Sequence, residues 1–382
     1  MGPAAQSSSR TRPLIFMIAG EASGDVHGGA LARALLARLP QVRLAGVGGD
    51  AMRSAGVKTC VDAKHLSAMG VTDVLMQWRV IFHARTVVKH ALTASRPDLL
   101  ILIDYPGFNL RAAAFATSLG IPVLYYISPK LWAWKPGRIE QMRAFVDHTA
   151  LILPFEKEIY ATAGVPATYV GNPLLDYRHE PLQAVDAPPG NRIGLLPGSR
   201  KSEVSRHLPV MLGAAAILHR SNPDLVFFLS IAPSLDRDWV ADRLPAATDL
   251  LPVKLVTGGS DALFACSDLV VAASGTVTLE AAVAGMPTII IYRMSAVSFM
   301  MARRFVKVPY AGLANLIAGR EVMPELLQDD ANPAAVARMI ADLLASPERL
   351  VRMRTELADV RQQLGQPGVA ARTADLALSL IR

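Results

Sequence analysis

Two cysteines in 382 residues, Cys60 and Cys266, are too few and too far apart for a disulfide framework. Both sit in apolar surroundings, so two buried free thiols in a reducing compartment are expected. No run of 18 or more uncharged apolar residues occurs, which excludes a membrane-spanning helix. The first apolar run, 14–19, is short for a signal-peptide core and leads into GEASGD, which is no cleavage site. Together these point to the cytoplasm. The eight histidines show neither HExxH nor any other ligand spacing, so no metal is expected. One Asp-x-Asp occurs, Asp236-Arg237-Asp238, and it opens a helical stretch, where carboxylates are favoured without any metal. Zinc-finger spacing, RNA-binding signatures and long Lys/Arg runs are also missing. The net charge of +7 therefore points away from nucleic acid, toward anionic lipid or a phosphorylated substrate.

What is present is apolar bulk: 52% hydrophobic against 19% charged residues, enough for large cores. Only MGPAAQSSSRTR, closed by Pro13, reads as unstructured. Short apolar runs alternate with helical stretches, the pattern of parallel sheets covered on both faces. Strands are predicted at 14–19, 42–47, 99–103, 123–127 and 149–153, with helices at 27–39, 81–94 and 110–119. The second half repeats the scheme at 192–196, 225–231, 253–256, 269–272 and 288–292, and the tail from Ala334 is helical, broken at Pro347 and Pro367. The expected class is α/β: two Rossmann-like, doubly wound domains facing a central cleft. We place them at 13–172 and 191–364, joined by a Pro-rich linker at 173–190, with 365–382 packing back on the first.

In such sheets ligands bind beyond the carboxyl ends of the strands, where the polar clusters of this chain fall. Glu21, Ser23, Gly24 and Asp25 follow the first strand. A helix cap explains one of them but not two carboxylates at a strand end. Asp104 ends the run LLILI, where partial desolvation raises its proton affinity toward that of a general base; a turn-forming Asp before Pro-Gly reads equally well. YYISPKLWAWKPGR places Trp132 and Trp134 beside Lys130, Lys135 and Arg138, either to hold a sugar or phosphate or as a packed aromatic loop.

In the second half, LLPGSRKSE and SGTVTLEAA each end an apolar run in a small-residue turn and open a helix. Unpaired N–H groups and the helix dipole make each an anion site, and two of them suit a diphosphate. Neither is a Walker A loop or GxGxxG, so a nucleotide-sugar is favoured over ATP. Gly198, Ser199, Arg200, Glu203, Ser274, Gly275 and Thr276 would line it. Arg200 and Arg293 would clamp the diphosphate, and Glu280 would accept ribose hydroxyls. Phe299, Met300, Met301 and Phe305 with Arg303, Arg304 and Lys307 fit an interfacial segment on anionic lipid, or a core helix with one basic face. A similar mixture spans 69–89, with Trp78, Ile81 and Phe82 beside Arg79 and Arg85.

AGEASGDVHGGAL, AMGVTDVL, LILIDYPGFNLR, YYISPKLWAWKPGR, LPFEKEIY, LLPGSRKSEV, SGTVTLEAA, MPTIIIYR and NLIAGREVMPELLQ occur in this order. Across about residues 14 to 330 the chain thereby resembles the lipid-A-disaccharide synthase family of inverting, GT-B-type glycosyltransferases. The resemblance implies the substrates UDP-2,3-diacylglucosamine and 2,3-diacylglucosamine 1-phosphate (lipid X). The products would be UDP and a β-1,6-linked disaccharide 1-phosphate, formed with no cofactor. It implies Asp104 as base, Arg200 and Asn315 on the nucleotide-sugar side, and the Glu21, Ser23, Asp25 loop in the active site. Asn109, Ser128 and Trp132 join Ser23, Gly24 and Asp25 on the acceptor side.

The chain departs from the family at three positions. Gly107 stands where many relatives carry a second Asp, Asn172 replaces a frequent His, and Lys135 a frequent Arg. Acylated substrates imply a cytoplasmic enzyme peripheral on the inner leaflet of the inner membrane, in contact with anionic lipid. Oligomeric state is left open. Alternatives are a lipid-linked N-acetylglucosaminyltransferase, a UDP-sugar 2-epimerase, or a nucleotide-sugar-binding protein without turnover.

Overall fold

A computed structural model describes residues 12–67, 74–132, 137–177, 190–244, 251–295, 299 and 308–381, without the side chains of 65, 67 and 74–78. It divides into two units, Met1–Asp176 with Gly365–Arg382, and Tyr177–Leu364.

The first unit is built on seven parallel strands: β1 (Leu14–Ala19), β2 (Arg43–Gly48), β3 (Lys58–Asp62), β4 (Leu99–Ile103), β5 (Val123–Tyr126), β6 (His148–Leu151) and β7 (Ala167–Tyr169). Their order is β3-β2-β1-β4-β5-β6-β7. Every residue of β1 and β4 is buried, which is why LIFMIA and LLILI carry no alternation. The strand order reverses between these two, the point where open parallel sheets part their loops. Ala19 pairs with Ile103, so Gly20 and Asp104 leave the sheet side by side.

The second unit has β8 (Arg192–Leu196), β9 (Val226–Ile231), β10 (Val253–Thr257), β11 (Leu269–Ala273), β12 (Thr288–Tyr292) and β13 (Glu325–Leu327), in the order β10-β9-β8-β11-β12-β13. Here the reversal falls between β8 and β11, and Leu196 pairs with Ala272. The GSR and SGT turns therefore emerge from neighbouring strands.

Three strands were not foreseen, β3, β7 and β13. Each lies at an edge and none is fully buried, so no continuous apolar run marks it. The helix after β1, Ala22–Arg38, starts five residues earlier than its apolar pattern, and the helix after β4, Pro106–Ser118, starts four earlier. Cys60 corrects another expectation: it is exposed, on an edge strand, while Cys266 is buried, and both are free thiols. Asp236 is a helix N-cap, accepting from the N–H groups of Asp238 and Trp239.

The chain returns to the first unit through the helix Val369–Ser379, which packs on Ala22–Arg38 and buries Val369, Ala374 and Ala377 in the core that holds Leu31 and Leu35. Arg38 pairs with Asp375 across this contact. Asp176 caps the returning helix, its Oδ1 accepting from Gly368 N at 2.5 Å and Val369 N at 3.2 Å and its Oδ2 from Ala370 N at 3.2 Å. Asp176→Ala is expected to cost about 1 kcal/mol, the ordinary worth of an N-cap. A thermal melt reads it as a lowered transition; an unchanged melt would show the helix held by its apolar face alone.

Candidate active site

The turn after β4 is the most constrained in the first unit. Asp104 and Tyr105 are consecutive non-glycine residues in the left-handed region, φ 46° and 47°. Such geometry costs about 1–3 kcal/mol per residue and persists only when its surroundings enforce it. They do. The Asp104 carbonyl accepts from Asn109 Nδ2 and from the Tyr125 hydroxyl, both at 2.6 Å, and Asn109 Nδ2 also reaches Ile103 O at 3.1 Å. Asn109 is fully buried, so it acts on the turn and not on solvent. Tyr105 lies against Gly20, where a Cβ would come 2.2 Å from its ring. The two loops thus interlock and bring Glu21 toward Asp104.

Burial pushes the Asp104 carboxyl above the usual range, and the charge of Glu21 adds to this. The Tyr105 N–H and the Lys130 ammonium oppose the shift. Glu21 occupies the N-cap position of its helix without making a side-chain cap bond. Asp25 has a different role from the one expected. Its carboxylate accepts from the N–H groups of Gly49, Ala51 and Met52 at 2.6, 2.9 and 3.1 Å, capping the helix Asp50–Ser54. Ser23 is exposed on the first turn, and Gly24 is buried against Ala19.

A residue that sequence reasoning missed, Glu156, organises the loop after β5. It is 1% exposed, and its Oε1 accepts from Ser128 Oγ at 2.7 Å and Trp132 Nε1 at 3.3 Å. Its Oε2 accepts from Leu153 N at 3.2 Å. Ser128 and Trp132 are therefore committed to Glu156, and the Trp132 ring packs edge-on against Phe155. That favours the packed-loop reading of this segment; Trp134 and Lys135 lie outside the described residues. Ile127, a β-branched residue with φ 64°, opens the same loop. The signal was the LPFEKEIY segment itself, whose first Glu follows a strand and an apolar turn. Asn172 is likewise buried in a turn, donating to Ile152 O and accepting from Leu174 N.

In the second unit, Gly198 (φ 123°) lets the GSR turn close over Glu203, whose Oε2 accepts from Ser199 N at 3.0 Å and whose Oε1 accepts from Arg200 Nη1 at 2.8 Å. Arg200 is 61% exposed along its side chain, so this pair is weak and exchangeable. His207, fully buried, ties two strand ends together: Nδ1 donates to Pro197 O at 2.9 Å and Nε2 accepts from Arg293 N at 3.0 Å. A lone histidine in a helix gave no sequence signal for this.

Ser274 Oγ donates to Ala311 O, and Gly275 and Thr276 are exposed before the helix Val277–Ala284. Glu280 accepts from Ser260 Oγ at 2.5 Å. Asn315 is fully buried, donating to Met323 O and Glu325 and accepting from Val322 N and Met323 N. Its amide is spent on the scaffold. Glu325 also accepts from Ala311 N and Gly312 N, so together they hold the loop beside Ser274. Met300, Met301, Arg303, Arg304, Phe305 and Lys307 lie outside the described residues; Phe299 is half-buried.

The family profile described as lipid-A-disaccharide synthetase matches residues 15–379. The chain belongs to this family. The lipid-A-disaccharide synthase of Syntrophus aciditrophicus is 43% identical over 376 residues, covering 97% of this chain and 98% of its own. That of Nitrosococcus oceani is 40% identical, covering 97% and 96%. Among solved structures, the kitacinnamycin glycotransferase aligns with a TM-score of 0.65 at 17% identity, covering 98% of this chain and 100% of its own. The UDP-GlcNAc 2-epimerase of Neisseria meningitidis, bound to UDP-GlcNAc, aligns at 0.62 and 13%, covering 96% and 99%.

These structures share the GT-B fold of two parallel-sheet units. As a lipid-A-disaccharide synthetase family member the chain is a glycosyltransferase, and the epimerase and non-catalytic alternatives are not favoured.

Desolvation raises the Glu156 carboxyl from 4.5 to about 7, against the bonds from Ser128, Leu153 and Trp132. Below its ordinary range the acid is protonated in both states. Between there and about 7 the folded chain keeps a proton that the unfolded chain releases, so the contribution of this group to stability falls as pH rises through this window. At 1.36 kcal/mol per pH unit the full fall is about 3 kcal/mol. His27, which burial holds down at about 4, works in the opposite direction, so Glu156→Gln is expected to make the change in stability from pH 5 to pH 8 more positive than in wild type, read from melts of both proteins. An equal pH dependence in the two would remove Glu156 as its source.

Proposed function

We propose that this glycosyltransferase joins UDP-2,3-diacylglucosamine to 2,3-diacylglucosamine 1-phosphate, releasing UDP and the β-1,6-linked disaccharide 1-phosphate with inversion. The observation that carries the reading is Asp104: a partly desolvated carboxyl, raised in proton affinity, locked at the mouth of β4 by Asn109 and Tyr125. Asp104 takes the proton of the acceptor 6-hydroxyl as that oxygen attacks the anomeric carbon opposite UDP. One displacement gives inversion. The transition state has oxocarbenium character, as in glycoside hydrolysis, and the Glu21 carboxylate stabilises its positive charge.

On the donor side, the exposed Gly275–Thr276 turn and the start of the helix Lys201–Ser221 offer N–H groups to the diphosphate. Arg200 exchanges Glu203 for it, so the leaving UDP needs neither a general acid nor a metal. Arg293 stands at the end of β12, its backbone fixed by His207, and Glu280 takes the ribose hydroxyls.

No described helix is long and apolar enough to cross a membrane. Peripheral binding to the anionic inner leaflet is part of this reading. Keeping acyl chains in lipid saves about 0.8 kcal/mol for each CH₂ not exposed to water. Phe82, 67% exposed beside Arg79, gives the helix Val74–Ser95 an apolar face with a cation for that contact.

Asp104→Asn is expected to lower turnover by a factor on the order of 10² to 10⁴ while leaving UDP affinity intact, read by UDP release and by titration with UDP. The wild-type rate should fall on acidification with a midpoint above the ordinary aspartate range. Ordinary turnover by the Asn variant would sink the base assignment. Activity is also expected to survive excess chelator; loss restored by magnesium would overturn the metal-free reading.

A further inference from the structure

A groove of about 440 Å³ runs between the helices Val74–Ser95 and Pro106–Ser118 of the first unit. Val88, Leu92, Phe108, Ala112 and Phe115 form its apolar floor, and Arg85, Lys89 and Arg111 stand along it. Among the described residues no acid lines it. Arg85 Nε is buried and has no hydrogen-bond partner, a costly state for a guanidinium. Burial and the charge of Arg111 push the Arg85 proton affinity down. Arg85 and Lys89 are one turn apart on the same helix, a like-charge spacing that weakens it. Lys89 Nζ lies 5.2 Å over the Phe115 ring, and among the described residues Arg111 Nη1 donates to Gly107 O alone, at 3.2 Å. Folding has gathered three cations over an apolar floor with no anion among the described residues.

The groove opens beside the catalytic turn. Phe108 stacks on Tyr105, centroids 6.1 Å apart, and Tyr105 follows Asp104 directly. From Phe108 to Ser118 the helix advances about 15 Å at 1.5 Å per residue. A ligand suited to this place has a doubly charged phosphate at one end and an acyl chain at the other. A nucleotide would leave the floor empty, and a fatty acid would carry too little charge.

We propose that the groove holds the acceptor, its sugar phosphate on Arg85 and Arg111 with Lys89 at the rim, and one acyl chain along Val88, Leu92, Ala112 and Phe115. This rests on the acceptor named under the proposed function. The phosphate oxygens supply the acceptor that Arg85 Nε lacks, in the paired geometry guanidinium favours.

The test compares wild type with Arg85→Gln/Arg111→Gln and with Ala112→Trp, which fills the floor. UDP release is followed with detergent-dispersed diacylglucosamine 1-phosphate and with its analogue lacking the phosphate. The double variant should raise acceptor KM on the order of ten- to a hundredfold, the worth of bonds to a charged group. Donor KM and kcat at saturating acceptor should stay unchanged, and the preference for the phosphorylated acceptor should disappear. Ala112→Trp should raise KM for both acceptors alike at unchanged donor KM, with a melt lowered as overfilling a buried site requires. Wild-type turnover with an unaltered acceptor KM in both variants overturns the groove assignment. So does loss of sedimentation with phosphatidylglycerol vesicles at unaltered KM, which would make the groove a membrane headgroup site. Failure of the wild type itself to turn over this pair refutes the functional reading, and the groove assignment falls with it.

Discussion

A parallel strand buried on both faces must emerge from the core at its carboxyl end, and there its backbone groups lose their ladder partners. Everything functional in this chain depends on how those ends are satisfied. Polar side chains from other elements do it: Asp25 beyond β2, Asn109 and Tyr125 beyond β4, Glu156 beyond β6, His207 between β8 and β12, and Asn315 with Glu325 beside β11. Each is buried or nearly so, where an unmade bond costs more than a made one contributes. The turns are rigid for that reason. Asp104 can then hold a left-handed backbone, and Arg200 can sit at the start of a helix with its head in solvent.

The same economy explains which parts of the site the sequence made legible. Asp104, Glu21, Arg200 and the Gly275–Thr276 turn stand where a strand-end reading places them, at the two reversals of strand order. Asp25, Ser128, Trp132 and Asn315 stand beside them in the same motifs, yet their polar atoms bond to the protein, and Asn109 gives it Nδ2 while its Oδ1 has no partner among the described residues. A motif records both the groups that meet a ligand and those that hold them. Residue type does not separate the two, because a buried Asn and a ligand-binding Asn are the same letter. Glu156 and His207 show the converse, since their partners come from loops 20 or more residues away in most cases and no local spacing announces them.

The fold was legible where burial is two-sided. β1, β4, β8 and β12 coincide with the apolar runs that announce them, because nothing polar interrupts a strand covered on both faces. Edge strands lack that constraint: Lys58–Asp62 and Glu325–Leu327 are half-open and contain charge, so they read as loop. Helix starts were placed too late for a related reason. The first turn of Ala22–Arg38 belongs to the polar mouth of the sheet, and in Pro106–Ser118 the Pro-Gly start hides a first turn whose Phe108 is already in the core.

Gly107 connects the turn after β4 to the groove beside it. A side chain there would meet nothing within 4 Å, so sterics do not demand glycine. An acid at 107, which the family resemblance often places there, would stand one helical turn before Arg111 and pair with it, as opposite charges four residues apart do. Among the described residues Arg111 has the Gly107 carbonyl alone, and its charge remains available to depress Arg85 and to attract an anion. The missing carboxylate therefore does two things. It leaves Asp104 and Glu21 as the acids of the turn, and it keeps the basic side of the groove unneutralised. A second acid beside Asp104 would have made the mouth of β4 more negative and the groove less positive, weakening the field that, on the proposed reading, draws a phosphorylated acceptor there.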